Sequence, residues 1–219
     1  MNRTAAAAAH RFRWLRRYRE VGQVAAMTFG IALCVKTFVV DAVHVPSRSM
    51  EQALHAGDFV LVNKLLYGPS TPDFLPIVNV HLPHVRLPAL MSPRAGDVFV
   101  FRFPADGDPL VRKGQLLVKR IMALPGQAVE VRRGAVLVDG RLIAPPRGNG
   151  SAGVPASGFG PRIVPSDSYF VLGDNMADSY DSRAWGFVPA DRLVGKAFVV
   201  YWSIGDQGIR WSRIGSIIR

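Results

Sequence analysis

The chain has 219 residues, 49% hydrophobic and 20% charged, which fits one domain with a terminal appendage and excludes a disordered chain. Its single cysteine, Cys34, excludes an intramolecular disulfide framework and a cysteine-ligated zinc site, while 21 Gly and 16 Pro favour many short strands over a helical bundle. The net charge of +11 admits a nucleic-acid or anionic-membrane partner.

Taken in chain order, the charge is concentrated first. Residues 1–20 hold Arg3, Arg11, Arg13, Arg16, Arg17 and Arg19 against Glu20 alone. Residues 21–40 read VGQVAAMTFGIALCVKTFVV, with Lys36 as the only charge. Twenty helical residues span about 30 Å, one hydrocarbon core. Lys36 lies near the end, where its stem can snorkel to the headgroups. The arginines precede the segment, so the positive-inside rule keeps the N-terminus in the cytoplasm and sends residues 41–219 across. A cleaved secretory signal is the competing reading, but no A-x-A site follows the apolar run. Three parts follow: a basic cytoplasmic segment (1–20), a transmembrane anchor (21–40) and an extracytoplasmic domain (41–219).

Beyond the anchor the pattern is of strands. DFVLV (58–62), GDVFVFRF (96–103), QLLVKRIMAL (115–124), QAVEVRRGAVLVDGRLI (127–143), YFVLGD (169–174) and KAFVVYW (196–202) are short, rich in Val and Phe, and bounded by Gly, Pro or Asp. Asp139-Gly140 predicts a two-residue hairpin turn. Helix patterns are scarce after residue 57, so the fold class is mainly β, an antiparallel, barrel-like domain behind one helix. Residues 68–95, with six prolines, and 144–168, with five, read as long loops.

No metal or cofactor is expected. His10, His44, His55, His81 and His84 show no ligand spacing beyond the last pair, which lies in the proline-rich loop without a third ligand. Three segments carry chemistry. VPSRSM (45–50) follows the span, and as an isolated pattern it reads as a helix N-cap before EQAL. LVKRIMALPG (117–126) puts Lys119 among apolar residues. Strand alternation points Lys119 and Arg120 to opposite faces, and an edge-strand lysine is the alternative. GDNMADSYDSRAWGFVP (173–189) is dense in Asp, Asn and Ser between two apolar strands.

Together these segments resemble bacterial type I signal peptidases, membrane-anchored serine proteases with a Ser/Lys dyad. The P-S-x-S-M box falls at residues 46–50, the R-G-D-V-V-V-F pattern loosely at 94–101, K-R-x-x-x-x-P-G at 119–126 and GDN…S-x-D-S-R-x-W-G at 173–186. The chain departs from the family where Gln52-Ala53-Leu54 replace Pro-Thr-Leu, and where Met176 and Ala177 replace Arg and Asp.

The resemblance implies Ser49 as nucleophile and Lys119 as general base. It implies the Ser49 N–H and the Ser47 hydroxyl as oxyanion donors, and Ser179 as the group orienting Lys119. Asp181 would pair with Arg183, and Arg120 would reach Asp174. The implied substrate is the signal peptide of a secreted preprotein with small residues before the scissile bond, and Val43, Val45, Met50 and Val118 are candidates for its pocket walls. The protein is then expected as a monomer in the bacterial cytoplasmic membrane, in contact with lipid and without nucleic acid. Two other readings compete: a related peptidase dedicated to one substrate, and a membrane-tethered nucleic-acid-binding protein. The second would show a basic stripe, whereas the excess charge beyond residue 40 is dispersed.

Overall fold

The computed structural model describes residues 3–68, 74–75, 80–81, 85, 87–105, 108–132, 134–143 and 158–219, and for residues 3–17, 74–75 and 80–81 the backbone alone. Of the paired histidines, His84 lies outside the described residues, as do residues 144–157 of the second proline-rich loop. Helix α1 (Arg3–Cys34) runs into a wider π-type turn, Val35–Val39. The stretch Tyr18–Val39 is long and apolar enough to cross a membrane, and its apolar window is not buried by the rest of the protein. Val40, the last residue of the expected anchor segment, opens the first strand. The β-branched VDAVHV sequence suits that strand better than another helical turn.

The strands are β1 (Val40–Val45), β2 (Asp58–Asn63), β3 (Phe74–Leu75), β4 (Val80–His81), β5 (Val98–Arg102), β6 (Leu116–Ala123), β7 (Ala128–Arg132), β8 (Ala135–Val138), β9 (Arg141–Ile143), β10 (Phe159–Ile163), β11 (Ser168–Leu172), β12 (Val188–Pro189), β13 (Leu193–Gly205) and β14 (Gly208–Ile209). A short helix, α2 (Ser182–Trp185), precedes β12. Pairing is antiparallel throughout the ladders. An eight-stranded sheet runs β1-β2-β13-β5-β6-β11-β12, with β14 on β13, and a four-stranded sheet runs β10-β7-β8-β9. The long strand β13 pairs with both β2 and β5, and register shifts near Leu193, Ala197 and Val200 bend it. The mainly β fold behind one apolar N-terminal helix is as the sequence predicts. So is the hairpin turn: Asp139 and Gly140 both have positive φ (51° and 75°), which the two-residue turn between β8 and β9 requires. Short strands missing from the sequence reading occur in both loop-like stretches: β3 and β4 in the first, β10 in the second.

Two apolar clusters matter for position. One joins Val43, Val45, Met50, Leu54, Val98, Val118 and Ile218 within the large sheet. The other fills the space between Met122, Phe170, Leu172, Met176 and the four-stranded sheet. The segment of residues 173–187 lies between β11 and β12, close to the turn that follows β1.

Candidate active site

Strand β1 ends at Val45, and a 3-10 turn, Arg48–Met50, follows at once. Ser47 keeps an extended backbone and caps nothing with its side chain; its Oγ lies 3.2 Å from Ser49 Oγ. The N-cap reading of this box is therefore corrected, and EQAL forms a turn closed by Leu54 N–H on Met50 O, at 2.8 Å, in place of a helix. Ser49 is 7% exposed. Its carbonyl accepts from Asn175 N–H at 2.9 Å, and the Asn175 side-chain amide donates to Arg48 O at 3.3 Å. The turn is thus fastened to the GDN segment across the sheet.

Lys119 sits in β6, between β5 and β11, so it is not an edge lysine. It faces Phe99 in the β5 register and is 3% exposed. Its Nζ donates to Ser179 Oγ at 2.9 Å. Burial disfavours the ammonium and lowers the Lys119 pKa to about 8; the Asp181, Asp174 and Asp178 carboxylates pull it up and the Arg183 guanidinium pulls it down.

Arg120, the next residue, emerges on the other face. Its Nε and Nη2 each donate to an Asp174 carboxylate oxygen at 2.7 Å, while Nη1 donates to Gly96 O at 2.7 Å and Arg219 O at 2.9 Å. Asp181 and Arg183 form a second two-pronged pair, at 2.8 and 2.9 Å, with both side chains buried. Asp181 also accepts from Gly173 N–H and caps α2, while Arg183 Nη2 donates to Met176 O and Ser179 O. The whole loop from 173 to 183 is therefore tied back on itself around these two residues.

Gly173 lies where the serines meet. A Cβ there would collide with Ser179 Oγ and come within 2.5 Å of Ser49 O. Only a residue without a side chain lets the Ser49 turn and the Ser179 loop approach so closely. Gln52 is a second feature that sequence reasoning did not assign: its Nε2 donates to Asp174 O at 3.0 Å, so the departure from Pro-Thr-Leu supplies another tie between the two segments. Asn175 was visible only as the third letter of the GDN box. The structure also gathers Val43, Val45, Met50 and Val118 into one buried cluster beside the Ser49 turn. Met176, the other departure, is buried in the second cluster. Among the described residues no group of His, Cys, Asp and Glu has the arrangement of a metal site.

A mainly β domain stands behind an apolar helix, with a serine turn and a buried lysine joined through one loop. The sequence pattern of the family "Signal peptidase, peptidase S26" matches residues 18–202. The chain is 35% identical over 190 residues to a probable signal peptidase I-2 of Synechocystis, covering 87% of this chain and 76% of that protein. It is 35% identical over 182 residues to the signal peptidase I of Leptolyngbya laminosa, covering 81% and 76%. Against the signal peptidase I of Pseudomonas fluorescens the identity is 32% over 227 residues, covering 85% and 75%. The chain belongs to the signal peptidase family, peptidase S26, and is a membrane-anchored peptidase that removes signal peptides. These relatives favour neither the dedicated-substrate reading nor the nucleic-acid reading.

Proposed function

We propose that Ser49 is the nucleophile and Lys119 its general base in signal-peptide cleavage. The observation that carries this is the buried lysine held on Ser179, with Gly173 bringing Ser179 against the Ser49 backbone. A serine hydroxyl attacks a carbonyl only when a base takes its proton. A lysine at its ordinary pKa is neutral in only about 0.04% of molecules at pH 7, whereas a pKa of about 8 raises that fraction to about 10%. Lys119 Nζ takes the proton of Ser49 Oγ as Oγ bonds to the scissile carbonyl carbon. It then returns that proton to the leaving amine. The resulting acyl-enzyme is opened by a water activated the same way. The Ser49 N–H and the Ser47 hydroxyl, near Ser49 Oγ, are the donors for the oxyanion. Ser179 orients Lys119, the Asp181–Arg183 and Arg120–Asp174 pairs hold the loop, and Val43, Val45, Met50 and Val118 wall the pocket for small side chains.

The domain, residues 41–219, faces the outer side of the bacterial cytoplasmic membrane, with residues 21–40 as anchor and residues 1–20 in the cytoplasm. The enzyme works there as a monomer against lipid, with the preprotein as its macromolecular partner and no nucleic acid. One experiment tests this reading: right-side-out vesicles carrying the wild type, Ser49→Ala or Lys119→Arg are given an external preprotein peptide. The wild type cleaves it, and both variants are inactive, because arginine keeps its proton. Activity in a folded Lys119→Arg enzyme would refute the dyad. Cleavage only after the vesicles are opened would refute the orientation.

A further inference from the structure

The C-terminal strap reaches the apolar cluster beside the Ser49 turn and the Arg120 guanidinium. Residues 215–218 lie along β13, with Gly215 N–H on Val200 O, Val200 N–H on Ser216 O and Ile218 N–H on Phe198 O. Ile217 bridges to Val199 and points outward, 71% exposed, whereas Ile218 is 6% exposed and enters the apolar cluster that contains Met50, Val45 and Val118. Met50 follows Ser49 directly. One residue further on, Arg219 O accepts from Arg120 Nη1, the guanidinium that grips both oxygens of Asp174. Asp174 in turn is flanked by Gly173, which abuts Ser49 O, and by Asn175, whose N–H binds Ser49 O.

We propose that residues 218 and 219 are positioning residues for Ser49. Ile218 backs the apolar cluster that holds Met50, and the Arg219 main-chain oxygen fixes the Arg120 guanidinium that grips Asp174 on the other side of Ser49. The inference rests on the assignment of Ser49 as nucleophile. Lys119 Nζ donates its hydrogen bond to Ser179 Oγ, and Ile218 carries no charge, so a change at Ile218 acts on the position of the nucleophile and not on the proton affinity of the base. A displacement of the order of 1 Å in a reacting group is enough to lower a rate about a hundredfold.

The test uses the full chain in detergent, with kcat and KM for a preprotein peptide measured across pH, well below each melting temperature. The variants are Ile218→Ala, Ile218→Val, Ser49→Ala and, as a control for lost core packing elsewhere, Val136→Ala in β8. A shift of a fraction of an ångström predicts a kcat lower by about tenfold or more in Ile218→Ala, and a smaller one a loss of about threefold in Ile218→Val. The pH of half-maximal rate stays that of the wild type, and KM changes less than kcat. Val136→Ala melts at a lower temperature but keeps its kcat. A folded Ile218→Ala with wild-type kcat overturns the proposal, as does an equal loss in Val136→Ala or a moved pH midpoint. If Ile218→Ala does not fold, Ile218→Val decides, and an unchanged kcat there overturns it. Activity in Ser49→Ala would instead remove the nucleophile assignment on which the strap's role rests.

Discussion

Replacing Lys119 by methionine should inactivate the enzyme and stabilise its fold at neutral pH. Folding takes the ammonium from water to a site 3% exposed, and lowers its pKa from 10.5 to about 8. Each pKa unit corresponds to about 1.4 kcal/mol, so keeping the proton in the folded state costs about 3 kcal/mol below pH 8. Methionine is unbranched, has a similar length and carries no charge. It forfeits the bond to Ser179, worth about 1 kcal/mol. The balance is a gain of about 2 kcal/mol at pH 7, or roughly 4–8 °C in melting temperature for a domain of this size. Between about pH 8 and 10.5 the folded lysine is neutral while the unfolded one still holds its proton. Unfolding then takes up a proton, and wild-type stability rises with pH through that window. The advantage of Lys119→Met should therefore shrink and reverse as pH approaches 10.5. Differential scanning calorimetry of both proteins from pH 7 to 10 measures this, beside a cleavage assay. A melting-temperature difference that does not change with pH would show that Lys119 folds without a depressed pKa, and the base assignment would lose its physical ground.

Two further outcomes follow from the loop. Gly173→Ala should leave the β fold intact by circular dichroism yet lower cleavage at least a hundredfold, since its Cβ enters the space of Ser179 Oγ and Ser49 O; near-normal rates would mean that the two segments separate without consequence. Asp181→Ala and Arg183→Ala should each lose about 3–5 kcal/mol in urea unfolding, because either leaves a buried charge unpaired. They should also move the pH of half-maximal rate in opposite directions, down without the Asp181 carboxylate and up without the Arg183 guanidinium. A common direction would place their effect in folding alone.

Much of this was legible in the sequence because the relevant signals are local. Strand alternation placed Lys119 and Arg120 on opposite faces, and the structure buries one among β5 and β11 side chains while the other reaches Asp174 and Gly96. The Asp139-Gly140 pair specified its own turn. What escaped was either masked by a stronger neighbouring pattern or decided across the sheet. Strand β1 follows an apolar helix without a polar break, so nothing local marks Val40 as its first residue. The EQAL segment looks helical by composition, but the Leu54 N–H closes on Met50 O and Gln52 is drawn to Asp174, 122 positions away. Gly173 has an ordinary place in a GDN turn; its necessity appears only once Ser49 and Ser179 approach it from two other segments. The edge or interior position of Lys119 likewise depends on which strands pair beside it, which no local pattern states.

Lys119 has a depressed pKa amid acidic residues, two of which are held in arginine forks. Asp174, Asp178 and Asp181 all raise the proton affinity of Lys119, and the Arg183 guanidinium lowers it. Arg120 covers both oxygens of Asp174, and Arg183 covers both oxygens of Asp181, so each carboxylate reaches Lys119 already paired. Burial by Phe99, Val118 and their neighbours then decides the sign of the shift. The same carboxylates keep a structural task, holding Gly173 and the cap of α2 in place. An apolar replacement for either fork would give a stabler loop in some proteins. Here it would remove the hydrogen bonds that place Ser179 and Asn175, and with them the contacts of this loop with Lys119 and with the Ser49 backbone.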